Sequence, residues 1–308
     1  MRAPSDSVAV WFGHGDGVPM WAGPLDDLLT ECASNFDAES IVQIRSAIER
    51  GQVFEGAAGR RGVWVRVQPH YGSDHFPELP VVRYPVNHKG RDFVVGDVHG
   101  EFDAVRRWMR GVRFEPSADR LFSVGDLIDR GPSSHEADWW VQQSWFHAVR
   151  GNHEHMLLNA MYAPCQANVA VWMRNGGEWF IQQPRERREA ITEALADLPY
   201  AIEIASVGGG RIGIVHGDFP VDGVSWSEFL SSIRDWTKVA VWGRRLARCI
   251  KSGGAPSVSG VDLLVLGHTP QPKAAFAGNV ALIDTGMGAS NSLSFLSLQD
   301  AAVTTAAI

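Results

Sequence analysis

The later part of the chain carries five short apolar runs, and each ends beside a glycine and a polar side chain. Short runs of β-prone residues bounded by glycine predict buried strands. The runs occupy residues 93–95, 121–124, 146–149, 212–215 and 263–266. Amphipathic segments between and around them predict helices over residues 101–110, 184–198 and 239–252. The alternation of strands and helices predicts an α/β fold.

Aspartate, histidine and asparagine side chains follow the ends of these predicted strands. In layered α/β folds, functional sites form just beyond the carboxyl ends of strands, so we expect these side chains to meet at one rim. The six with metal-binding chemistry are Asp97, His99, Asp126, Asn152, His216 and His268.

Three imidazoles, two carboxylates and one amide oxygen form a mixed nitrogen and oxygen donor set, which suits Mn, Fe or Zn. Six ligands are too many for one catalytic ion that keeps an open position. Two ions that share one carboxylate fit this number better. Paired ions stabilise both the attacking and the leaving oxygen of an in-line displacement, which is the chemistry of phosphate-ester hydrolysis.

The charge and the apolar pattern of the chain exclude some classes of function. The 28 basic residues against 35 acidic ones give a net charge of −7, which argues against a polybasic nucleic-acid binder. Two divalent ions together with Arg130 and Arg244 would nevertheless make the site locally positive, and screening weakens the distant negative charge. We therefore expect an anionic substrate. The N-terminus predicts no signal peptide, and no apolar run is long enough to span a membrane.

The three cysteines are widely spaced and form no Cys-x-x-Cys pair. They predict a reducing, cytoplasmic compartment and no disulfide framework.

Five motifs occur in order: Gly96-Asp-Val-His-Gly100, Gly125-Asp-Leu-Ile-Asp-Arg-Gly131, Gly151-Asn-His-Glu154, His216-Gly and Gly267-His-Thr269. Together they resemble the phosphoprotein phosphatase family of metallophosphoesterases, and within it the branch of the bacteriophage lambda protein phosphatase and its bacterial relatives. The resemblance covers residues 90–300. It implies a calcineurin-like β-sandwich, in which two mixed sheets are flanked by helices.

The resemblance also implies two divalent metal ions, expected to be Mn²⁺ with Fe or Zn as alternatives. The implied ligands are Asp97 and His99 for the first ion, Asp126 for both, and Asn152, His216 and His268 for the second. His153 would be the general acid, oriented by Asp129. Arg130 and Arg244 would bind the phosphate, and a hydroxide bridging the ions would attack phosphorus directly.

The function implied is that of a Ser/Thr protein phosphatase, with phosphotyrosine as a further substrate. Its partner would be a phosphorylated protein or peptide, with no nucleic acid and no membrane; the sequence does not indicate an oligomeric state. The alternative is a dinucleoside-polyphosphate hydrolase of the Ap4A type, which shares much of the motif set. Asp129 and Arg130 favour the phosphatase, because the symmetrical dinucleotide hydrolases resemble one another in lacking this pair. A non-catalytic sensor or scaffold is a third hypothesis, against which the intact ligand set argues.

Residues 1–80 lie outside this resemblance and predict a small α+β accessory unit, followed by a catalytic domain over residues 81–308. A helix capped by Asp37 and a strand from residue 62 support this interpretation. The second half of the unit is faintly similar to a PAS sensor domain, which is the alternative to a structural appendage. Three prolines between residues 75 and 90 predict a connection without regular structure.

Overall fold

The computed structural model describes residues 7–12, 21–24, 38–49, 54–58, 63–69, 77, 79–162, 166–220, 223–286, 291–300 and 302–308. The strands are β1 (Ser7–Phe12), β2 (Trp21–Pro24), β3 (Phe54–Ala58), β4 (Val63–Pro69), β5 (Val81–Tyr84), β6 (Asp92–Val95), β7 (Arg120–Ser123), β8 (Phe146–Ala148), β9 (Ala201–Ala205), β10 (Arg211–Val215), β11 (Leu263–Leu266), β12 (Ala275–Ala277), β13 (Val280–Leu282), β14 (Ser292–Ser297) and β15 (Val303–Ala307). The α-helices are α1 (Ala38–Glu49), α2 (Phe102–Gly111), α3 (Ala137–Val141), α4 (Asn152–Tyr162), α5 (Gln166–Arg174), α6 (Glu178–Ile181), α7 (Arg185–Ala196), α8 (Trp226–Ser231), α9 (Ile233–Trp242) and α10 (Arg245–Lys251).

The chain divides into two compact units, one of residues 1–75 and 156–188, the other of residues 76–155 and 189–308. Within the first unit, four antiparallel strands form a sheet in the order β2-β1-β4-β3. Helix α1 contacts β3 and β4. The predicted domain boundary at residue 80 and the PAS similarity stay predictions.

The second unit contains two mixed sheets. One has six strands in the order β12-β13-β11-β10-β9-β5, and the other has five in the order β15-β14-β6-β7-β8. In the five-stranded sheet β6, β7 and β8 are parallel, so their carboxyl ends lie at the same edge. In the six-stranded sheet β10 and β11 are likewise parallel. The predicted α/β sandwich of two mixed sheets flanked by helices is confirmed.

Two apolar clusters hold this unit together. One contains residues of both sheets, such as Val94, Phe122 and Ile214, and is the core of the sandwich. The other joins the opposite face of the six-stranded sheet to helices α8, α9 and α10. Neighbouring residues of one strand belong to different clusters, as Ile214 and Val215 do, because successive side chains point to opposite faces of a sheet. The predicted five apolar runs are strands β6, β7, β8, β10 and β11.

The predicted helix over residues 239–252 is wrong, because the chain breaks there into α9 and α10. The break lies at Gly243 and Arg244, where the backbone of Gly243 is extended and Arg244 has a φ of −145°. A Cβ on Gly243 would approach the Cβ of Asp218 to 2.3 Å, so only glycine fits. The carboxylate of Asp218 accepts hydrogen bonds from the backbone N–H groups of Arg245 and Leu246, which starts the new helix.

The predicted unstructured connection over residues 75–90 is also wrong in part, because strand β5 lies within it. Pro80 and Pro85 flank the strand on either side, and β5 pairs in parallel with β9 at the edge of the six-stranded sheet. Proline is tolerated beside an edge strand because no ladder hydrogen bond is lost there.

Within the described part of the chain, no helix has the length and apolar character that a membrane span requires. Cys249 is a free thiol, and Cys32 and Cys165 lie outside the described residues. The cytoplasmic location stays a prediction.

Candidate active site

Five strand ends deliver polar side chains to one buried cluster within the second unit. Strands β6, β7, β8, β10 and β11 are each followed within a few residues by at least one of them. All of the following side chains are buried: Asp97, His99, Asp126, Asp129, Asn152, His153, His216 and His268. The parallel arrangement of these strands therefore brings together residues that are up to 171 positions apart in the chain.

The backbone of the cluster is unusual. Five of its residues have positive φ angles, namely His99 (45°), Asp126 (49°), Asp129 (72°), Arg130 (71°) and His268 (63°). Residues other than glycine rarely adopt this left-handed conformation, and it tends to occur at functional sites. The backbone N–H groups of Val98 and His99 both donate to the carbonyl of Asp126, at 3.0 and 2.8 Å. These bonds tie the loop after β6 to the loop after β7.

Asp126 is the centre of two groups of potential metal ligands. His99, Asp126 and His153 form the first group, and Asp126, His216 and His268 form the second, with the ligand atoms of each group within 4.8 Å of one another. Oδ2 of Asp126 lies 3.7 Å from Nε2 of His99, and Oδ1 lies 3.3 Å from Nε2 of His216. One carboxylate thus faces both groups with different oxygens.

Asn152 belongs to the second group by geometry. Its Oδ1 lies 2.9 Å from Nε2 of His216 and 2.7 Å from Nδ1 of His268. Nδ1 of His216 donates to the carbonyl of Val124 at 2.8 Å, which leaves Nε2 without a proton in the neutral ring. The lone pair of His216 Nε2 then faces a lone pair of Asn152 Oδ1 across 2.9 Å. This arrangement fits a cation between them, and a backbone carbonyl that holds the far nitrogen is the usual support of a metal-binding histidine.

The pKa values of these imidazoles agree with that role. Burial lowers the pKa of His99 and of His268 to about 3, and it also lowers that of His216. All three are therefore neutral and can offer a lone pair near pH 7. Burial alone would raise the pKa of Asp126, but the neighbouring imidazoles, His216 first, outweigh it and hold that pKa below its ordinary value.

Asp97 lies beside the two groups but belongs to neither. Both of its carboxylate oxygens accept the backbone N–H of His268, at 3.2 and 3.0 Å. A Cβ on Gly267 would come within 2.2 Å of Oδ1 of Asp97, which explains the glycine before His268. Burial, with Asp284 and Asp126 nearby, raises the pKa of Asp97 well above its usual range. Its assignment to the first ion stays a prediction.

His153 is connected differently from the other histidines. Its Nδ1 lies 2.6 Å from Oδ2 of the buried Asp129, and its Nε2 lies 3.1 Å from a terminal nitrogen of Arg130. The other terminal nitrogen of Arg130 lies 2.8 Å from Nε2 of His99. Burial opposes the charged ring of His153, but Asp126 and the hydrogen-bonded Asp129 outweigh it and raise the pKa. The guanidinium of Arg130 can only donate, so Nε2 accepts in this arrangement, while the raised pKa favours a ring that can take up a proton there.

Arg244 reaches the cluster from the break between α9 and α10. Its Nε donates to Nε2 of His268 at 2.9 Å, while the residue as a whole remains exposed. Asp218 fixes this position because its carboxylate caps the first turn of α10 directly after Arg244. No motif in the sequence indicates this role for Asp218. In the sequence, only its position directly after His216-Gly217 points to Asp218. The groups that it binds are backbone N–H groups, whose positions the sequence does not show.

Glu154 was also missed as a positioning residue, although it closes the third motif. Its buried carboxylate accepts backbone N–H groups of Gly151 (2.8 Å), Asp126 (3.0 Å) and Leu127 (2.7 Å). It thereby fixes the loop that carries Asp126 to the start of α4. Burial, reinforced by the charge of Asp126, raises the pKa of Glu154 to about 7, and the same causes raise that of Asp284 to about 7.

Residues 93–272 match the calcineurin-like phosphoesterase family, which is more than half of the chain. The protein belongs to this family. It is accordingly a metallophosphoesterase, an enzyme that hydrolyses phosphate esters, and the resemblance to the phosphoprotein phosphatases is confirmed.

Two similar relatives of this phosphoesterase are bacterial. The Serine/threonine-protein phosphatase 1 of Salmonella typhimurium is 37% identical over 197 residues, which are 63% of this chain and 85% of the relative. The Serine/threonine-protein phosphatase 2 of Escherichia coli is 32% identical over 227 residues, which are 72% of this chain and all of the relative. A symmetrical bis(5'-nucleosyl)-tetraphosphatase of Thioalkalivibrio sulfidiphilus is 43% identical, but only over 68 residues, 21% of this chain and 25% of the relative.

Proposed function

We propose that this phosphoesterase removes phosphate from phosphoserine and phosphothreonine in proteins, with phosphotyrosine as a further substrate. The pairing of His153 with Asp129 carries this proposal. Protein alkoxides are poor leaving groups, so their departure depends on a proton donor. A histidine whose Nδ1 is held by a buried carboxylate at 2.6 Å presents Nε2 in a fixed direction.

The phosphoryl group is expected to bind between the two arginines. Arg130 and Arg244 each contact an imidazole of the cluster, through His99 and His153 for the first and His268 for the second. Their guanidinium groups match the oxygens of a phosphate, which they bind through two parallel hydrogen bonds. Nε2 of His153 lies 3.1 Å from a terminal nitrogen of Arg130, so a phosphoryl group bound by Arg130 would have this ring beside it.

The donor set fits two divalent ions around Asp126, one with Asp97 and His99 and the other with Asn152, His216 and His268. When bound, the ions neutralise charge on the phosphoryl group and lower the pKa of the attacking water. Mn²⁺ is our proposal for both sites, with Fe or Zn as alternatives, because the donors are nitrogen and oxygen without thiolate. The Asp129 carboxylate meanwhile keeps the His153 ring oriented and stabilises its protonated form.

A dinucleoside-polyphosphate hydrolase is the second candidate, because relatives of that name match over a short segment. A nucleotide leaving group is already stabilised as an anion and needs less help from a proton donor. The presence of a potential proton donor, His153, held by the carboxylate of Asp129 therefore favours the protein phosphatase. The long matches to relatives named Ser/Thr protein phosphatase support the same choice.

Phosphate release after chelator treatment and Mn²⁺ addition tests the proposal. The substrates are phosphoserine, phosphothreonine and phosphotyrosine peptides, diadenosine tetraphosphate and an aryl phosphate. We expect Mn²⁺ to restore release from the peptides, with a far lower kcat/KM for the dinucleotide. Efficient cleavage of the dinucleotide with poor peptide turnover would overturn the proposal in favour of the second candidate.

A further inference from the structure

The outward face of α10 carries cations that lead away from the site. Arg244, Arg248 and Lys251 follow one another at spacings of four and three residues, which places them on one side of a helix. All three are exposed, whereas Leu246 and Ala247 on the opposite side are buried. We call Arg244, Arg248 and Lys251 the cationic face.

The cationic face begins at the site itself. Arg244 contacts His268, and its carbonyl accepts the backbone N–H of Arg248 at 3.0 Å, so the helical turn is continuous between them. With a rise of about 1.5 Å per residue, Arg248 lies ~6 Å and Lys251 ~10 Å along the axis from Arg244. An extended peptide covers that distance in about two to three residues.

Trp242 lies directly before this face, beside the site. It ends α9, its ring lies 6.1 Å from that of His268, and it is 38% exposed. A half-exposed indole next to a phosphate-binding arginine offers an apolar contact to the chain that carries the phosphate.

The charges of the cationic face are not compensated within the described part of the chain. No described acidic side chain forms an ion pair with Arg248 or Lys251. Arg106 of α2, by contrast, is paired with both Asp103 and Glu136. Arg248 and Lys251 therefore carry unpaired positive charge beside Arg244, in a chain whose net charge is −7.

We propose that the cationic face binds acidic residues on one side of the phosphorylated residue of a protein substrate. This inference rests on the proposed protein phosphatase activity and names the substrate class. The acidic side chains would lie about two to three residues from the phosphorylated position, given the spacing of Arg248 and Lys251 from Arg244. The cationic face would repel lysine and arginine residues at the same positions of the peptide, so substrates that carry them there should be disfavoured.

A panel of phosphoserine peptides tests the proposal. One peptide has neutral residues around the phosphoserine, two carry glutamates on its N-terminal or its C-terminal side, and two carry lysines in the same places. The measured quantity is kcat/KM for each peptide divided by kcat/KM for an aryl phosphate. We expect one of the two glutamate peptides to exceed the neutral peptide by about fivefold, since two exposed ion pairs each contribute a factor of roughly two to five. The preference should disappear in about 0.5 M salt, because the pairs are exposed.

The variant R248E/K251E reverses two charges of the cationic face and should abolish or invert this preference. The control K89E/R110E changes the net charge by the same amount at two exposed positions outside that face, and Arg110, like Lys251, lies in the last turn of a helix. The control should keep the preference. Equal turnover of acidic, neutral and basic peptides by the wild-type protein would overturn the inference but leave the proposed function standing. Loss of dinucleotide hydrolysis alone in R248E/K251E would also overturn it, and would indicate a polyphosphate ligand.

Discussion

At the scale of single residues, the site separates its histidines into two kinds. His99, His216 and His268 are buried with lowered pKa values and lie next to Asp126 or Asn152. His153 differs because Asp129 holds its Nδ1, and its pKa is raised. Neutral rings suit metal binding and a protonated ring suits acid catalysis, so the partner of each ring decides its chemistry.

His153→Asn should therefore reduce kcat/KM for esters with poor leaving groups far more than for those with good ones. A general acid typically contributes a factor of ~10² to 10⁴, and that factor shrinks as the leaving group becomes more acidic. The measurement is kcat/KM for phenyl phosphates with substituents that vary the leaving-group pKa. The metal content of the variant is determined in parallel, because His153 lies in one of the two ligand groups.

Asp129→Asn serves as the companion variant, because the ring of His153 remains while its charged partner is removed. We expect Asp129→Asn to lose less kcat/KM than His153→Asn, with the same dependence of the loss on the leaving-group pKa. A uniform loss across all leaving groups in His153→Asn, at unchanged metal content, would contradict the acid assignment.

The sequence indicated the converging residues but not those that support them. Asp97, His99, Asp126, Asn152, His216 and His268 could be grouped because each follows a recognisable strand, and strand ends share one edge of a sheet. Glu154 and Asp218 could not be assigned a role, because the groups that they bind are backbone N–H groups, whose positions depend on the fold. Side-chain identity alone does not show such contacts.

At the scale of elements, the break between α9 and α10 is the feature that places Arg244 at the site. Helical periodicity continues through residues 239–252, so the sequence pattern predicts one helix there. The break is imposed by Asp218, which lies 25 residues earlier than Gly243 and comes close to it only in the fold. In the same way, β5 is a strand because it pairs with β9, more than 100 residues away. Neither cause can be read from the local sequence.

Asp218→Ala should weaken both α10 and phosphate binding. The variant loses the acceptor for the N–H groups of Arg245 and Leu246, and loss of a helix cap costs about 0.5–2 kcal/mol of the free energy of unfolding. Arg244 directly precedes that first turn, so the inhibition constant for inorganic phosphate should rise several-fold. Urea unfolding and competitive inhibition by phosphate measure the two effects.

Asp262→Ala is the matched control for Asp218→Ala. Asp262 also accepts a backbone N–H, that of Arg211 at 2.6 Å, but it is exposed and belongs to no part of the site. It should lose stability without a change in phosphate inhibition. Asp218→Asn keeps one acceptor oxygen and should lie between Asp218→Ala and the wild-type protein. An unchanged inhibition constant in Asp218→Ala would show that the cap does not position Arg244.

At the scale of the whole molecule, a partly buried histidine outside the site couples the stability of the sandwich to pH. His147 lies on β8, away from the site, and its ring contacts those of Tyr84 at 4.4 Å and Phe122 at 5.2 Å. Burial first, and then the charge of Arg120, lowers its pKa to about 4 and outweighs the effect of Asp92. The folded protein therefore keeps this ring neutral at pH values where the unfolded chain, with a pKa near 6.5, binds a proton.

The sign of the effect follows from that difference in bound protons. Between pH 6.5 and 4 the unfolded state binds the proton and the folded state does not, so the free energy of unfolding falls as the pH falls. From pH 7 to pH 5 the loss from His147 is at most about 2 kcal/mol, and partial exposure reduces it to ~1–2 kcal/mol. His147→Phe keeps an aromatic ring against Tyr84 and Phe122 but cannot titrate. Its free energy of unfolding should therefore fall by ~1–2 kcal/mol less between these pH values than that of the wild-type protein.

Urea unfolding at pH 7 and pH 5 checks this difference, with each protein compared only with itself across the pH change. The buried histidines of the cluster are the same in both proteins and cancel in the comparison. His88→Phe, at an exposed position, controls for the loss of one imidazole and should keep the wild-type pH dependence. If His147→Phe lost as much stability as the wild-type protein, the acid sensitivity would come from the site alone, and the packing of β8 against β5 and β7 would not contribute to it.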